Sequence, residues 1–98
     1  MAVLSTSEIE ERLQHLPGWA LIEGEIVRQA TFKDFLSAME FVDQVAVMAE
    51  NEQHHPDIDI RYNKVKLALT SHDAGGLTKQ DFEMARAMEA LISKGAAA

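Results

Sequence analysis

The sequence contains no cysteine. Disulfides, thiolate chemistry and cysteine-based zinc sites are therefore excluded, although the absence fixes no compartment. Positive charge is scarce as well: 9 Lys and Arg stand against 16 Asp and Glu, a formal net charge of −7. Gathering nucleic acid by neutralising phosphates needs clustered Lys and Arg, so no direct nucleic-acid binding is expected. No apolar run approaches membrane-spanning length, and Met1 to Glu11 lacks a basic start followed by an apolar stretch. A soluble, cytoplasmic protein with no membrane partner is the expectation. There is no Pro-rich or Ser-rich linker and no low-complexity segment. At 98 residues the chain is long enough for one core and too short for a second, so residues 1–98 are read as one domain.

Hydrophobic spacing orders what remains. Ser7, followed by Glu8, Glu10 and Glu11, reads as an N-cap with acids in the first turn, and Ile9, Leu13 and Leu16 then share one helical face. This helix should end before Pro17-Gly18. Trp19 to Ile22 and Glu25 to Thr31 are β-prone stretches separated by Glu23-Gly24, which suits a tight hairpin. From Phe32 to about Gln53 the period turns helical. Phe32, Phe35, Leu36, Met39, Val42, Val45 or Ala46, and Ala49 form a stripe wide enough to cover a sheet. A second apolar row, Ala38, Phe41, Val45 and Met48, runs along the same segment. A helix apolar on two sides in so small a domain points to self-association.

Pro56 disfavours the α conformation at His55, which should stop that helix near Gln53 or His54. Ile58, Ile60 and Tyr62 alternate with Asp57, Asp59 and Arg61, and Val65, Leu67 and Leu69 alternate with Lys64, Lys66 and Ala68. These are two strands of a hairpin joined through Asn63. His72 falls just past the second strand, Ala74-Gly75-Gly76 is a loop, and Thr78 with Asp81 resembles a capping box. A last helix with Phe82, Ala85, Met88 and Ile92 inward runs to about Lys94, ahead of a fraying tail from Gly95 to Ala98. The fold class expected is α+β in the order α-β-β-α-β-β-α, a four-stranded antiparallel sheet with helices packed on one face. The two α-β-β halves are alike in plan, without a residue-level repeat.

Three of the four histidines fall within the thirty-two residues from Glu50 to Asp81. Imidazole is the side chain that titrates nearest neutrality, so such a cluster flanked by carboxylates suggests proton transfer or metal ligation. His54 and His55 sit at a helix end, where the dipole favours imidazolium, and Glu50 lies four residues before His54, one turn below it, where it would hold a ring nitrogen. A lone histidine at a helix end is more often a C-cap than a catalyst; His15 keeps that reading. Capping needs only one, however, and His54, His55 and His72 all fall at predicted element termini within nineteen residues. Metal binding is the less favoured alternative, because adjacent histidines diverge and no i+4 partner completes a zinc pair. A serine triad through Ser71 is set aside, since Ser71 and His72 as extended neighbours point to opposite faces.

The spacing of Glu50, His54-His55-Pro56, Tyr62, His72 and Asp81 resembles the signature of the pterin-4a-carbinolamine dehydratases. Tyr62-Asn63-Lys64-Val65, Gly76-Leu77-Thr78 and Gly18-Trp19 are similar to that family too, and the resemblance spans nearly the whole chain. It implies an enzyme that removes water from a 4a-hydroxytetrahydropterin to give the quinonoid dihydropterin, during recycling of the cofactor of aromatic amino acid hydroxylases. His54 and His72 would then be the acid/base pair. His55 would hold the pterin with Trp19 and Pro56, and Glu50 and Asp81 would orient imidazoles. No metal or redox cofactor is implied; a homodimer or homotetramer is. Animal members also bind a homeodomain transcription factor, but Ile58-Asp59 stands here where they have aromatic residues. Two other classes stay open on the residues themselves: an interaction module that uses the same fold, and a His/carboxylate metal hydrolase.

Overall fold

The computed structural model describes residues 2–95. Helix α1 (Thr6–Leu13) leads into strands β1 (Trp19–Ile22) and β2 (Glu25–Thr31). Helix α2 (Phe35–Glu52), strands β3 (Asp57–Arg61) and β4 (Lys64–Leu69), a single 3-10 turn (His72–Ala74) and helix α3 (Lys79–Gly95) follow. The strands form one antiparallel sheet in the order β1-β2-β4-β3, with the helices on one face. This is the expected α+β arrangement. Of the tail expected to fray from Gly95, Gly95 is the last residue of α3, and Ala96 to Ala98 lie outside the described residues.

Both hairpins have two-residue loops. Between β1 and β2, Glu23 and Gly24 take positive φ values of 50° and 82°, the twist a type I′ hairpin needs. Between β3 and β4, Arg61 pairs with Lys64, leaving Tyr62 and Asn63 as the turn. Tyr62, expected as the last residue of β3, stands at φ 55° with 69% of its surface exposed. Alternation along the central strands sends Ile26 and Ala30 of β2 and Val65, Leu67 and Leu69 of β4 into the core, where Phe41, Val45, Phe82, Ala85, Met88 and Ile92 meet them from α2 and α3.

Two helix starts also differ from the sequence reading. Helix α1 is capped by Ser5 rather than Ser7: the Ser5 hydroxyl accepts from the Glu8 N–H at 3.2 Å, and Glu8 Oε1 accepts from the Ser5 N–H at 2.8 Å. Ser5-x-x-Glu8 and Ser7-x-x-Glu10 satisfy the same pattern. The earlier one wins because the Leu4 N–H donates to the Leu77 carbonyl at 2.8 Å, anchoring the chain just ahead of Ser5. Helix α2 begins at Phe35, not Phe32, with the Asp34 side chain accepting from the Ser37 N–H at 2.8 Å. Phe32 instead follows directly on β2 and is held against the second hairpin's turn, its N–H donating to the Asn63 carbonyl and its carbonyl accepting from Asn63 Nδ2, each at 2.8 Å.

The face that α2 buries is also the other one. Ala38, Phe41, Val45 and Ala49 point into the core, with Met48 packed partly against it, so the row expected to seek a second copy of the chain is the row that covers the sheet. Left outside are Phe35, Leu36 and Val47, at 45%, 73% and 64% exposed. Among the described residues no helix is long and apolar enough to cross a membrane.

Candidate active site

Gln53 ends α2 by taking the left-handed conformation, φ 52° and ψ 42°, while its side-chain amide donates to the Glu50 carbonyl at 2.8 Å. That reversal takes His54 off the helical face it would otherwise have continued. The ring turns inward, 11% exposed, and its Nε2 lies 2.5 Å from Asp81 Oδ1 in the first turn of α3. Asp81 is fully buried. Its other oxygen, Oδ2, accepts from the Thr78 backbone N–H at 2.9 Å and from the Ser71 hydroxyl at 2.8 Å, and Ser71 Oγ is 2.8 Å from Thr78 Oγ1. The carboxylate that caps α3 thus anchors the imidazole that follows α2.

The expected capping box at Thr78 is half formed. Asp81 reaches back to the Thr78 N–H, but the Thr78 hydroxyl serves Ser71 rather than the Asp81 N–H. Nor is the expected pair of Glu50 and His54 made. Glu50 Oε1 instead meets His55 Nε2 at 2.9 Å, with the two side chains 73% and 60% exposed. The i to i+4 spacing holds only while a helix continues, and here the helix has already turned at Gln53.

From the other direction, β4 delivers Ser71, whose backbone carbonyl accepts from the N–H groups of Ala74, Gly75 and Gly76 at 3.0, 3.0 and 3.3 Å. Gly75, at φ 85°, closes this turn with its N–H also on the His72 carbonyl. His72 is thereby held in the turn opposite the His54-His55 segment. Both segments line one open basin of about 690 Å³: Gln53, His54 and His55 on one side, Ser71, His72 and Asp73 on the other, Thr78 and Gln80 at the start of α3. The three histidines singled out by the sequence are brought together. Another concavity, about 400 Å³ on the outer face of the sheet between Gln29, Asp59, Arg61, Lys64 and Lys66, is open charged surface without an imidazole.

Not every residue expected at the site lines the basin. Trp19 does not: it is 5% exposed, its indole N–H donates to Glu89 Oε1 at 2.8 Å, and the same oxygen takes Arg28 Nε at 2.6 Å, a cluster that ties α3 to the first hairpin. Pro56 and Glu50 also lie outside the lining, and Asp81 stands behind it. Ser71 and Thr78, in contrast, belong to the site although sequence reasoning assigned neither a role there. Their only signal was indirect, Thr78 three residues before Asp81 and Ser71 beside His72. Among the described residues, no three His, Asp or Glu side chains are grouped so that they would hold a metal ion.

Fold and site together define a small α+β protein with an open histidine basin backed by a buried carboxylate, a site suited to moving protons on a bound molecule. The chain belongs to the pterin 4 alpha carbinolamine dehydratase family, whose model matches residues 2–91. A protein of Acidobacterium capsulatum, named a candidate pterin-4-alpha-carbinolamine dehydratase, is 58% identical over 92 residues, covering 94% of this chain and all of its own. A similarly named protein of Chloroflexus aurantiacus is 52% identical over 92 residues, covering 94% of this chain and 99% of its own. Among solved structures, one described as a transcriptional coactivator/pterin dehydratase from Brucella melitensis superposes with a TM-score of 0.88 at 39% identity, over 92% of this chain and 98% of that one. A pterin dehydratase-like protein described as a RuBisCO assembly factor shares the fold alone, at a TM-score of 0.63 and 19% identity over 76% of this chain. Family and relatives support pterin carbinolamine dehydratase activity.

Proposed function

We propose that this protein removes water from a 4a-hydroxytetrahydropterin by histidine acid/base catalysis in the basin between His54 and His72. The observation that carries the reading is that imidazoles from two separate segments line one concave space, and that one of them is backed by a buried carboxylate. In the reaction the C4a–O bond breaks, the N5 lone pair forms the C4a=N5 double bond, and N5 gives up its proton. No electrons enter or leave. Each proton movement needs one group: an acid for the departing oxygen and a base for N5.

His54 is the better base, because the carboxylate behind it stabilises the imidazolium that proton capture creates. His72, on the facing wall, protonates the leaving oxygen. His55, exposed and paired with Glu50, holds the pterin at the rim. Asp81 orients His54, and Glu50 orients His55. Trp19 supports the sheet rather than the substrate. The same reading places the protein in tetrahydrobiopterin recycling for aromatic amino acid hydroxylases, in the cytoplasm, as a self-associating protein that works without a metal.

The test is stopped-flow decay of 4a-hydroxytetrahydropterin with wild type, His54→Ala and His72→Ala. Loss of one general acid or base should lower turnover by roughly 10²-fold or more with the fold intact by circular dichroism. Equal rates in all three proteins would reject the assignment.

A further inference from the structure

We infer that Ser71 and Thr78 are positioning residues: their hydroxyls form a relay that holds Asp81 as the anion and so fixes the His54 ring with its proton on Nε2 and the Nδ1 lone pair facing the basin. The inference rests on the dehydratase reading only for its activity measurement.

Counting donors leads there. The Thr78 N–H is an obligatory donor, and it points at Asp81 Oδ2. The Ser71 hydroxyl has one proton, donated to the same oxygen, so the 2.8 Å contact between the two hydroxyls must use the proton of Thr78 Oγ1. Two donors on Oδ2 suit a carboxylate, which only accepts. The remaining contact, Nε2 to Oδ1, then needs its proton on the ring, which in free form is the stronger base of the two. Among the described residues no buried side-chain nitrogen or oxygen lacks a partner, and Nδ1 of His54 has no hydrogen bond, so Nδ1 stays open to solvent on the basin side.

Ser71 also acts through its backbone. Its carbonyl gathers three N–H groups of the turn that carries His72. One residue therefore sets both imidazoles, His54 through Asp81 and His72 through the turn. Without the Ser71 hydroxyl, the anion keeps two of its three donors. A protonated carboxyl donating to Nε2, with the ring proton moved to Nδ1, then becomes competitive, and a ring in that form presents a donor where the base should be.

The experiment reads the His54 ring directly. Nitrogen-15 NMR of the substrate-free protein, at a pH where the ring is neutral, should show wild type and Ser71→Thr protonated at Nε2. Ser71→Ala should populate both tautomers and lose roughly tenfold in kcat with little change in KM. Thr78→Val, which removes only the outer hydroxyl, should shift the tautomer ratio the same way by less, and Thr78→Ser should restore it. The proposal is overturned if the wild-type ring carries its proton on Nδ1, or if Ser71→Ala and Thr78→Val both leave the ratio unchanged. Should wild type show this tautomer pattern but no turnover of 4a-hydroxytetrahydropterin, the relay stands and the dehydratase reading fails.

Discussion

Two histidine–carboxylate pairs lie within a few residues of each other and differ mainly in burial. His54 and Asp81 are 11% and 0% exposed, whereas His55 and Glu50 are 60% and 73% exposed. A pair open to water is screened and its members move freely, so Glu50→Gln should change kcat/KM no more than a few-fold. Removing the buried carboxylate leaves His54 without its anchor and takes the acceptor from the Ser71 hydroxyl and the Thr78 N–H. Asp81→Ala should therefore lower kcat by at least about tenfold and destabilise the fold by about 3 kcal/mol, read from the denaturant midpoint. Comparable effects at the two sites would contradict the roles given to them. His54, His55 and His72 could be picked out from the sequence because titratable side chains cluster at element ends. Their partners could not, since which carboxylate meets which ring depends on how Gln53 turns the chain, and no spacing rule encodes that.

Secondary elements were legible where local chemistry is decisive. Both hairpins follow from turn residues between alternating strands; the bounds of the first agree with the structure, and in the second only Tyr62 moves from strand to turn. Helix α2 shows where pattern reading fails: apolar on two sides, it offers two faces, and counting Phe32 as its first residue favours the wrong one. Ala38 is fully buried while the more apolar Leu36 is 73% exposed, an order that hydrophobicity alone does not give. The caps carry a pH dependence of their own. Hydrogen bonds from the Ser5 backbone N–H, then from its hydroxyl, lower the Glu8 carboxyl below its usual 4.5, and those from Ser37, backbone first, lower Asp34 below 3.8. A lowered carboxyl stabilises the folded state above its unfolded value, and the contribution disappears as pH falls through the folded one. The melting temperature should thus decline on acidification from about pH 6 to about pH 3. In Asp34→Asn, whose amide oxygen still caps at any pH, part of that decline should vanish while stability near neutrality stays nearly the same. An unchanged acid slope in the variant would show that Asp34 contributes nothing to it.

At the scale of the molecule, the surface that α2 leaves uncovered sets the terms for self-association. Leu36 and Val47 are eleven residues apart, so they lie almost in line along the helix, and Phe35 adds a third exposed apolar side chain at its start. Strands β1 and β3 form the two sheet edges, each with one unpaired side. Opposing both routes is the charge: with −7 on every chain, copies repel one another, and the repulsion is screened by salt. If α2 is the contact, sedimentation equilibrium should show assembly strengthening as salt rises, since burial of apolar area is not screened and the repulsion is. Leu36→Glu with Val47→Glu should then reduce the mass by a factor of two at every salt concentration, with melting temperature little altered because neither side chain belongs to the core. An assembly insensitive to both substitutions but broken by a proline at Leu21 or Ile60, whose N–H groups face away from the neighbouring strand, would assign the contact to the sheet edges instead. The basin of one chain is lined by His54, His55 and His72 of that same chain. Turnover per chain should accordingly be the same for the double variant as for wild type, and a fall in kcat on dissociation would mean that a neighbouring copy completes the site.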